Sequence, residues 1–300
     1  MTLQQQIKTQ NTAQLLNLGI LGTLLLLYVP LLLHWTDGWL HKTISIEHEY
    51  FSHGMIGLPF AGYLAWINRK QWQRLPNTTH PLSIGLLIIG VIFYLSGVAE
   101  WVNLSLPVIL AGLCLWFKGL PGCKLQGFPL ILVFFATPTA LPYLISPYTF
   151  PLQSFIASTV AFILNQFGMN VVLDGINLYV GGRIVEVAPY CAGLKMLFTT
   201  LYVSLMLLYW TDSLSSRRIT FSFLSISMVI SVIANIIRNT LLTFFHGTGQ
   251  EGAFQWLHDS WGGDLYSACM LLSLIPLLNW MNSYFSETEV IQQEEEQEVV

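Results

Sequence analysis

One cysteine, one arginine and one histidine have the types and positions that covalent catalysis at a carbonyl group requires. Cys191 opens a long apolar run, Arg238 lies near the end of the next one, and His258 follows in the segment after it. A cysteine thiolate attacks carbonyl carbon once a base or a cationic neighbour promotes its formation. His258 can accept the thiol proton and later protonate a leaving amine. Arg238 keeps its charge and can donate to a developing oxyanion.

Each of these three residues also has a structural explanation. A cysteine at the start of a helix is often a packing residue, and a lone histidine in a loop is often structural. An arginine in an apolar run is costly and commonly functional, but it can instead pair with Glu186 or Glu100. The residue types alone leave both explanations open.

Two charged residues near Cys191 are candidates for a supporting role. Glu186 precedes the cysteine by five positions and can orient His258 or pair with Arg183 across a turn. Lys195 follows the cysteine by four positions and adds positive charge at the same end of the apolar run.

The composition indicates an all-α polytopic membrane protein. Hydrophobic residues make up 54% of the 300 and charged residues only 9%, whereas soluble domains carry about a quarter charged residues.

The absence of a basic patch excludes a nucleic-acid partner. Cysteine spacing fits neither a metal site nor a disulfide framework, and phosphate-binding motifs are missing, so we expect no cofactor. A metal role for His48 and His53, beside Glu47 and Glu49, lacks a recognised ligand spacing.

The apolar runs predict about eight transmembrane helices, since a span takes about 20 residues. They lie at about 15–34, 51–67, 83–99, 102–117, 128–146, 191–210, 219–242 and 265–281. A further run, 151–168, is diluted by polar residues, and counting it as a span would put Arg217 and Arg218 outside. Because loops rich in Lys and Arg stay cytoplasmic, we predict that 151–168 is a re-entrant or interfacial helix. The predicted domains are a cytoplasmic N-terminal segment (1–14), a transmembrane domain (15–281) and a disordered acidic cytoplasmic tail (282–300).

This topology places the candidate site on the extracytoplasmic face of the cell membrane and both termini in the cytoplasm. Residues 147–190 then lie outside, where two β-rich runs flank Gly181-Gly182 and predict a small β-hairpin. About 20 residues separate Cys191 from the cytoplasmic turn, and about 20 more lead from Arg218 to Arg238. As a helix, each stretch rises roughly 30 Å, which is the thickness of the hydrocarbon core of a bilayer. Cys191 and Arg238 are therefore both predicted to lie near the outer face of the membrane.

The segments around the three residues resemble the motifs of a known family. In chain order they resemble the cysteine, arginine and histidine motifs of the exosortase/archaeosortase family: VAPYCAGLK (187–195), NIIRN (235–239) and LHDSWGG (257–263). Near the N-terminus, YFSHG (50–54) followed by Leu58-Pro59 also fits, and the resemblance extends over about residues 35–281. The chain looks most similar to the cyanobacterial branch. Ala192 and Lys195 depart from the Ser and Arg that are common in the family.

The resemblance implies a membrane cysteine transpeptidase or protease. Its substrates would be exported proteins whose C-terminal sorting tail has a Pro-Glu-Pro-like motif, a transmembrane helix and a basic end. Cleavage near the motif would pass through a Cys thioester, and the acceptor would be a lipid or a glycan. Carried over, Cys191 is the nucleophile, Arg238 positions the substrate or transition state, and His258 transfers protons.

Two alternative functions remain at this point. A non-enzymatic transporter or polysaccharide-export subunit would carry charges inside several helices along a path, whereas Lys195 and Arg238 lie close to one face. An intramembrane protease would use the same acyl-enzyme step and then simply hydrolyse it.

Overall fold

The structure is a computed structural model that describes residues 3–41, 50–188, 193–258 and 260–298. Two compact units divide the chain, Met1–Thr139 and Ala140–Val300. Both are built mainly from apolar helices, and the second also holds a small sheet. This is the architecture of a helical membrane protein.

The regular secondary structure of the first unit, in its described part, consists of helices. Its helices, in chain order, are α1 (Leu3–His41), α2 (Gly54–Ile67), α3 (Arg69–Arg74), α4 (Leu82–Leu95), α5 (Ala99–Leu125) and α6 (Gly127–Ala136). Helices α4 and α5 pack against each other, and α2 packs against α6.

Helix α5 is broken at Gly119, whose backbone is non-helical (φ 60°, ψ −153°). The segment before α4 forms hydrogen bonds in both directions with Lys118, the residue before the break. The Thr78 hydroxyl donates to the Lys118 carbonyl over 3.3 Å, and Lys118 Nζ donates to the Leu75 carbonyl and Asn77 Oδ1, both over 2.7 Å.

A buried polar bridge fixes the core of the first unit. The Trp35 indole Nε1 donates to Asn103 Oδ1 over 2.8 Å, and Asn103 Nδ2 donates to the Pro138 carbonyl over 3.0 Å. The Tyr28 and Ser105 hydroxyls form a further hydrogen bond of 2.7 Å. Such buried groups are costly when they lose their partners, so these bonds specify how α1 and α5 pack.

The second unit is arranged around one long helix. In chain order its elements are α7 (Leu141–Ile145), a 3₁₀ turn (Ser146–Tyr148), α8 (Phe150–Gln166), strands β1 (Val172–Asp174), β2 (Asn177–Val180) and β3 (Arg183–Glu186), then α9 (Leu194–Trp210), a second 3₁₀ turn (Ser213–Ser215), α10 (Arg217–Gly247), α11 (Glu251–His258) and α12 (Trp261–Glu298). Helix α10 contacts α8, α9, α11, α12 and the sheet. It therefore positions every other element of this unit that carries a candidate residue.

The predicted hairpin is confirmed and gains a third strand. The sheet order is β1-β2-β3, all antiparallel, with Val180 opposite Arg183. Gly181 and Gly182 form the two-residue turn, both with positive φ (57° and 76°), as a hairpin of this type requires. Strand β1 has only three residues and was not predicted, because so short a run gives little periodic signal.

The segment predicted as a re-entrant or interfacial helix forms α8. Its residues Ile156, Val160 and Leu164 follow an i, i+4, i+8 spacing and are all buried. They form one core cluster with Leu178 and Val180 of β2. Helix α8 thus supports the sheet.

The structure does not support eight spans. Among the described residues, three helical stretches are long and apolar enough to cross a membrane: Ala99–Leu125, Arg217–Gly247 and Trp261–Phe285. Four other apolar helices are only 10–17 residues long, and 14 residues rise about 21 Å, less than the roughly 30 Å of a bilayer core. The predicted span 128–146 is interrupted, because Thr137 precedes Pro138 and is extended (ψ 120°).

Helix α12 continues to Glu298, through the residues assigned to the acidic tail. Glu and Gln are good helix formers, which is consistent with this continuation. The disorder of residues 282–300 stays a prediction.

The Asn103 bridge gives a stability test. We expect Asn103→Ala to lower the free energy of unfolding by about 2–4 kcal/mol, because Trp35 Nε1 and the Pro138 carbonyl would each lose a buried partner. The thermal midpoint of the purified protein in detergent, followed by tryptophan fluorescence, measures the change. The matched control is Asn170→Ala at an exposed position. Equal midpoints for the two variants would contradict the role given to the bridge.

Candidate functional site

The arginine motif lies on α10, where two of its side chains face neighbouring elements. Asn235 is buried and Arg238 is half-buried. Residues three apart lie on the same face of a helix. Asn235 contacts the start of α9, and Arg238 contacts the corner between α11 and α12.

The contact between α9 and α10 is made at Gly193. This residue precedes α9 with a left-handed backbone (φ 81°), and a Cβ built on it would lie 2.6 Å from Cγ and 2.7 Å from Nδ2 of Asn235. Both the backbone conformation and the close approach require glycine. The cysteine motif therefore meets the arginine motif directly.

Cys191 itself lies outside the described residues, as does its neighbour Ala192. Gly193, two positions later in the sequence, lies against Asn235, which is one helical turn before Arg238. The end of the cysteine motif is thus beside the arginine motif. That Cys191 lies at the level of Arg238 stays a prediction.

Arg238 contacts the last turn of α11. Its Nη2 donates to the Leu257 carbonyl over 3.4 Å, and a Cβ on Gly263 would lie 3.5 Å from the same nitrogen. Carbonyls at a helix C-terminus carry partial negative charge and are stabilised by a cation. Arg238 therefore holds the end of the helix whose final residue is His258.

The two glycines of the histidine motif allow the sharp corner between α11 and α12. A Cβ on Gly262 would lie 2.5 Å from Trp256 Cδ2, and one on Gly263 would lie 2.7 Å from the Leu257 carbonyl oxygen. Helix α12 begins almost directly over the end of α11, which leaves no room for larger side chains. The same closeness brings α12 within reach of Arg238.

His258 is half-buried and stacked on Phe254. The two ring centroids are 5.1 Å apart with an interplanar angle of 10°, because residues four apart lie on the same face of a helix. Phe254 in turn lies 5.0 Å from the ring of His246 at the end of α10. Trp261 belongs to α12, where it is exposed and contacts Trp256 edge-on.

The hairpin is fastened to the junction of α10 and α11. Arg183 forms an ion pair with Glu251 and donates to the His246 carbonyl over 3.2 Å. At the turn, a Cβ on Gly181 would lie 2.1 Å from the Gly247 carbonyl oxygen. These contacts place the hairpin tip beside the helix that ends in His258.

The partner of Arg183 was missed from the sequence. Pairing with Glu186 was one of the two alternatives considered for Glu186, but residues three apart on a strand point to opposite faces. Glu186 is exposed, and Glu251 in the first turn of α11 is the residue that Arg183 reaches. An acidic residue beginning a short helix was the available signal. A role of Glu186 in orienting His258 stays a prediction.

The remaining candidate residues are Lys195, His53 and the residues at positions 47–49. Lys195 is half-buried in the first turn of α9, and its supporting role stays a prediction. His53 is buried, with Nε2 3.0 Å from the Phe135 carbonyl oxygen, while Glu47, His48 and Glu49 lie outside the described residues. Within the part of the chain that the structure describes, no three His, Cys, Asp or Glu side chains gather as a metal site.

The Gly193 contact can be tested against a matched glycine. Gly168 has the same φ of 81°, but a Cβ there would meet nothing within 4 Å. Both Gly→Ala variants carry the left-handed backbone cost of about 1–2 kcal/mol, and only Gly193→Ala also displaces Asn235. We therefore expect Gly193→Ala to lower the thermal midpoint of the purified protein in detergent further than Gly168→Ala does. Equal losses would show that the approach to Asn235 is unimportant.

Comparison with known proteins identifies the family. Residues 35–275 match the family model described as Transmembrane exosortase (Exosortase_EpsH). No curated protein and no solved structure matches the chain. The matched region covers most of the sequence and contains Cys191, Arg238 and His258. The resemblance is therefore confirmed at the level of the family, and the chain belongs to the transmembrane exosortases.

Proposed function

We propose that this exosortase is a cysteine transpeptidase that cleaves the C-terminal sorting tail of exported proteins. Family membership implies a membrane peptidase or transpeptidase that acts on sorting signals. The observation that carries the finer proposal is the pair of contacts made by α10. Asn235 meets Gly193 of the cysteine motif, and Arg238 meets Leu257 and Gly263 of the histidine motif. Three motifs separated in sequence are thereby joined through one helix face.

In the proposed reaction, the Cys191 thiol gives its proton to His258, and the thiolate attacks the carbonyl carbon of the scissile peptide bond. His258 then protonates the leaving amine as the C–N bond breaks, which leaves the substrate as a thioester on Cys191. An acceptor nucleophile loses its proton to His258 and attacks the thioester, and the thiolate of Cys191 leaves. Each proton taken by His258 is returned in the following step.

Arg238 would stabilise the oxyanion that forms twice in this sequence. Its Nη2 is engaged with the Leu257 carbonyl, but its Nε is buried and has no hydrogen-bond partner among the described residues. An unsatisfied guanidinium donor is costly in the resting protein. A developing oxyanion would supply the missing acceptor and strengthen the bond as negative charge grows.

We place the site on the extracytoplasmic face because the proposed substrates are exported proteins, and the cytoplasmic location of both termini stays a prediction. Substrates would then be cleaved after their export, in contact with the bilayer. The acceptor would be a lipid or a glycan at that surface. Water in place of the acceptor would give simple hydrolysis, and the mass of the new C-terminus separates the two outcomes.

Replacement of the nucleophile is the direct test. We expect Cys191→Ala and Cys191→Ser each to lower processing of a tailed reporter by at least about 1000-fold, because covalent catalysis is lost. Uncleaved reporter would accumulate in membranes, measured by immunoblot and mass spectrometry. Cys123→Ala is the control, since it removes a half-buried cysteine in the first unit. Normal processing by Cys191→Ala would eliminate the proposal.

Arg238→Lys separates charge from donor geometry. Lysine keeps the positive charge but not the fixed array of donors, so we expect kcat/KM to fall about 100-fold, corresponding to about 3 kcal/mol in the transition state. The loss should appear in kcat, while the thermal midpoint changes little. Arg217→Lys, at an exposed position at the other end of α10, is the matched control. A variant with unchanged kcat would show that Arg238 serves only to hold α11.

A further inference from the structure

An open apolar groove of about 300 Å³ lies between α10 and α12. Its walls are residues Ile230 to Ile237 on one side and Tyr266 to Ser273 on the other. Both helices are candidate membrane spans, so the groove opens at the depth of the hydrocarbon. Seven residues of each helix rise about 10 Å, which gives the length of the groove.

Small side chains create this space. Ala234 contributes from α10, while Cys269 and Ser273 contribute from α12. Cys269 and Ser273 are four residues apart and therefore stack on one helix face. At the back of the groove the Tyr266 hydroxyl donates to the Ala234 carbonyl over 2.6 Å, which fixes the separation of the two helices.

The groove is accessible from the lipid side. Ile233 and Ile237 are 51% and 48% exposed, and Cys269 is exposed as well. In a membrane, these exposed side chains contact an apolar molecule or segment within the bilayer. The occupant is hydrocarbon in character, since the walls offer almost no polar groups.

One end of the groove leads to the candidate site. Arg238 follows Ala234 by one helical turn on α10, and Gly263 precedes Tyr266 by one turn on α12. These two residues lie close together, since a Cβ built on Gly263 would lie 3.5 Å from Arg238 Nη2. An apolar segment lying in the groove would therefore present its adjoining polar segment to the guanidinium of Arg238.

We propose that the groove binds the transmembrane helix of the substrate's sorting tail and so positions the preceding motif at the site. This inference rests on the proposed function, which supplies a substrate with such a helix. Two observations favour a helix over a lipid chain. Small residues at i and i+4 are typical of surfaces that admit a second helix in membranes. The groove is continuous with the arginine that would contact the cleavage motif.

Cys269 provides a native thiol with which to test the contact. The enzyme would carry Cys191→Ala, Cys114→Ser and Cys123→Ser, so that the substrate is retained and Cys269 is the remaining cysteine. The probe is a reporter protein with a Pro-Glu-Pro motif, an apolar helix and a basic end, with single cysteines placed along the helix. We expect disulfides to Cys269 at helix positions repeating every three to four residues. Moving the thiol by Cys269→Ala with Ile275→Cys, an exposed position outside the groove, should abolish this pattern.

A functional variant gives an independent readout. Ala234→Leu would fill the groove, and we expect KM for the reporter to rise about tenfold with kcat little changed. Val229→Leu, on an exposed part of α10 outside the groove, is the control.

Two outcomes would overturn the inference while the proposed function stands. One is cleavage of the reporter by the wild-type enzyme without any periodic disulfide pattern at Cys269. The other is labelling of Cys269 by a photoactivatable phospholipid that the tailed reporter does not displace, which would assign the groove to a lipid chain. Failure of the proposed function itself would instead appear as normal processing of the reporter by the Cys191→Ala variant.

Discussion

Helix α10 holds two side chains, one turn apart, that determine where the rest of the second unit can lie. Asn235 is approached so closely by Gly193 that no Cβ fits between them. Arg238 is bonded to the last turn of α11. Because both residues project from the same face of one rigid helix, the start of α9 and the end of α11 are brought to the same level. The distance between the cysteine and histidine motifs is therefore governed by a single helical turn.

The cost of this arrangement is an arginine within a mainly apolar helix. A charge at such a position is unfavourable unless neighbouring polar groups compensate it. Part of the compensation comes from the Leu257 carbonyl, at the negative end of α11. The compensation of the charge is incomplete, since Nε is buried and lacks a partner among the described residues. In the proposed reaction, such an unused donor would stabilise the charge that develops on the substrate carbonyl.

The sequence predicted those features that depend on local pattern. The hairpin around Gly181 and Gly182 follows from two adjacent residues that tolerate positive φ. Features set by tertiary contact were not predictable. The pairing of Arg183 with Glu251 joins residues 68 positions apart. The packing of Gly193 on Asn235 likewise depends on how two distant helices approach. Span counting failed because hydrophobic runs reveal apolar character but not where a helix breaks, as at Thr137.

The central claim is that the cysteine and histidine motifs meet at the Arg238 end of α10. Crosslinking tests it most directly, with the native thiol of Cys191 and a second thiol introduced by His258→Cys after Cys114, Cys123 and Cys269 have been replaced by Ser. A short bifunctional thiol reagent should join positions 191 and 258 within one molecule, as shown by peptide mass. The reference pair is Thr200→Cys with Met270→Cys, because the side chains of these residues are in contact (3.7 Å). Efficient linkage of the reference pair together with no linkage between 191 and 258 would contradict the account.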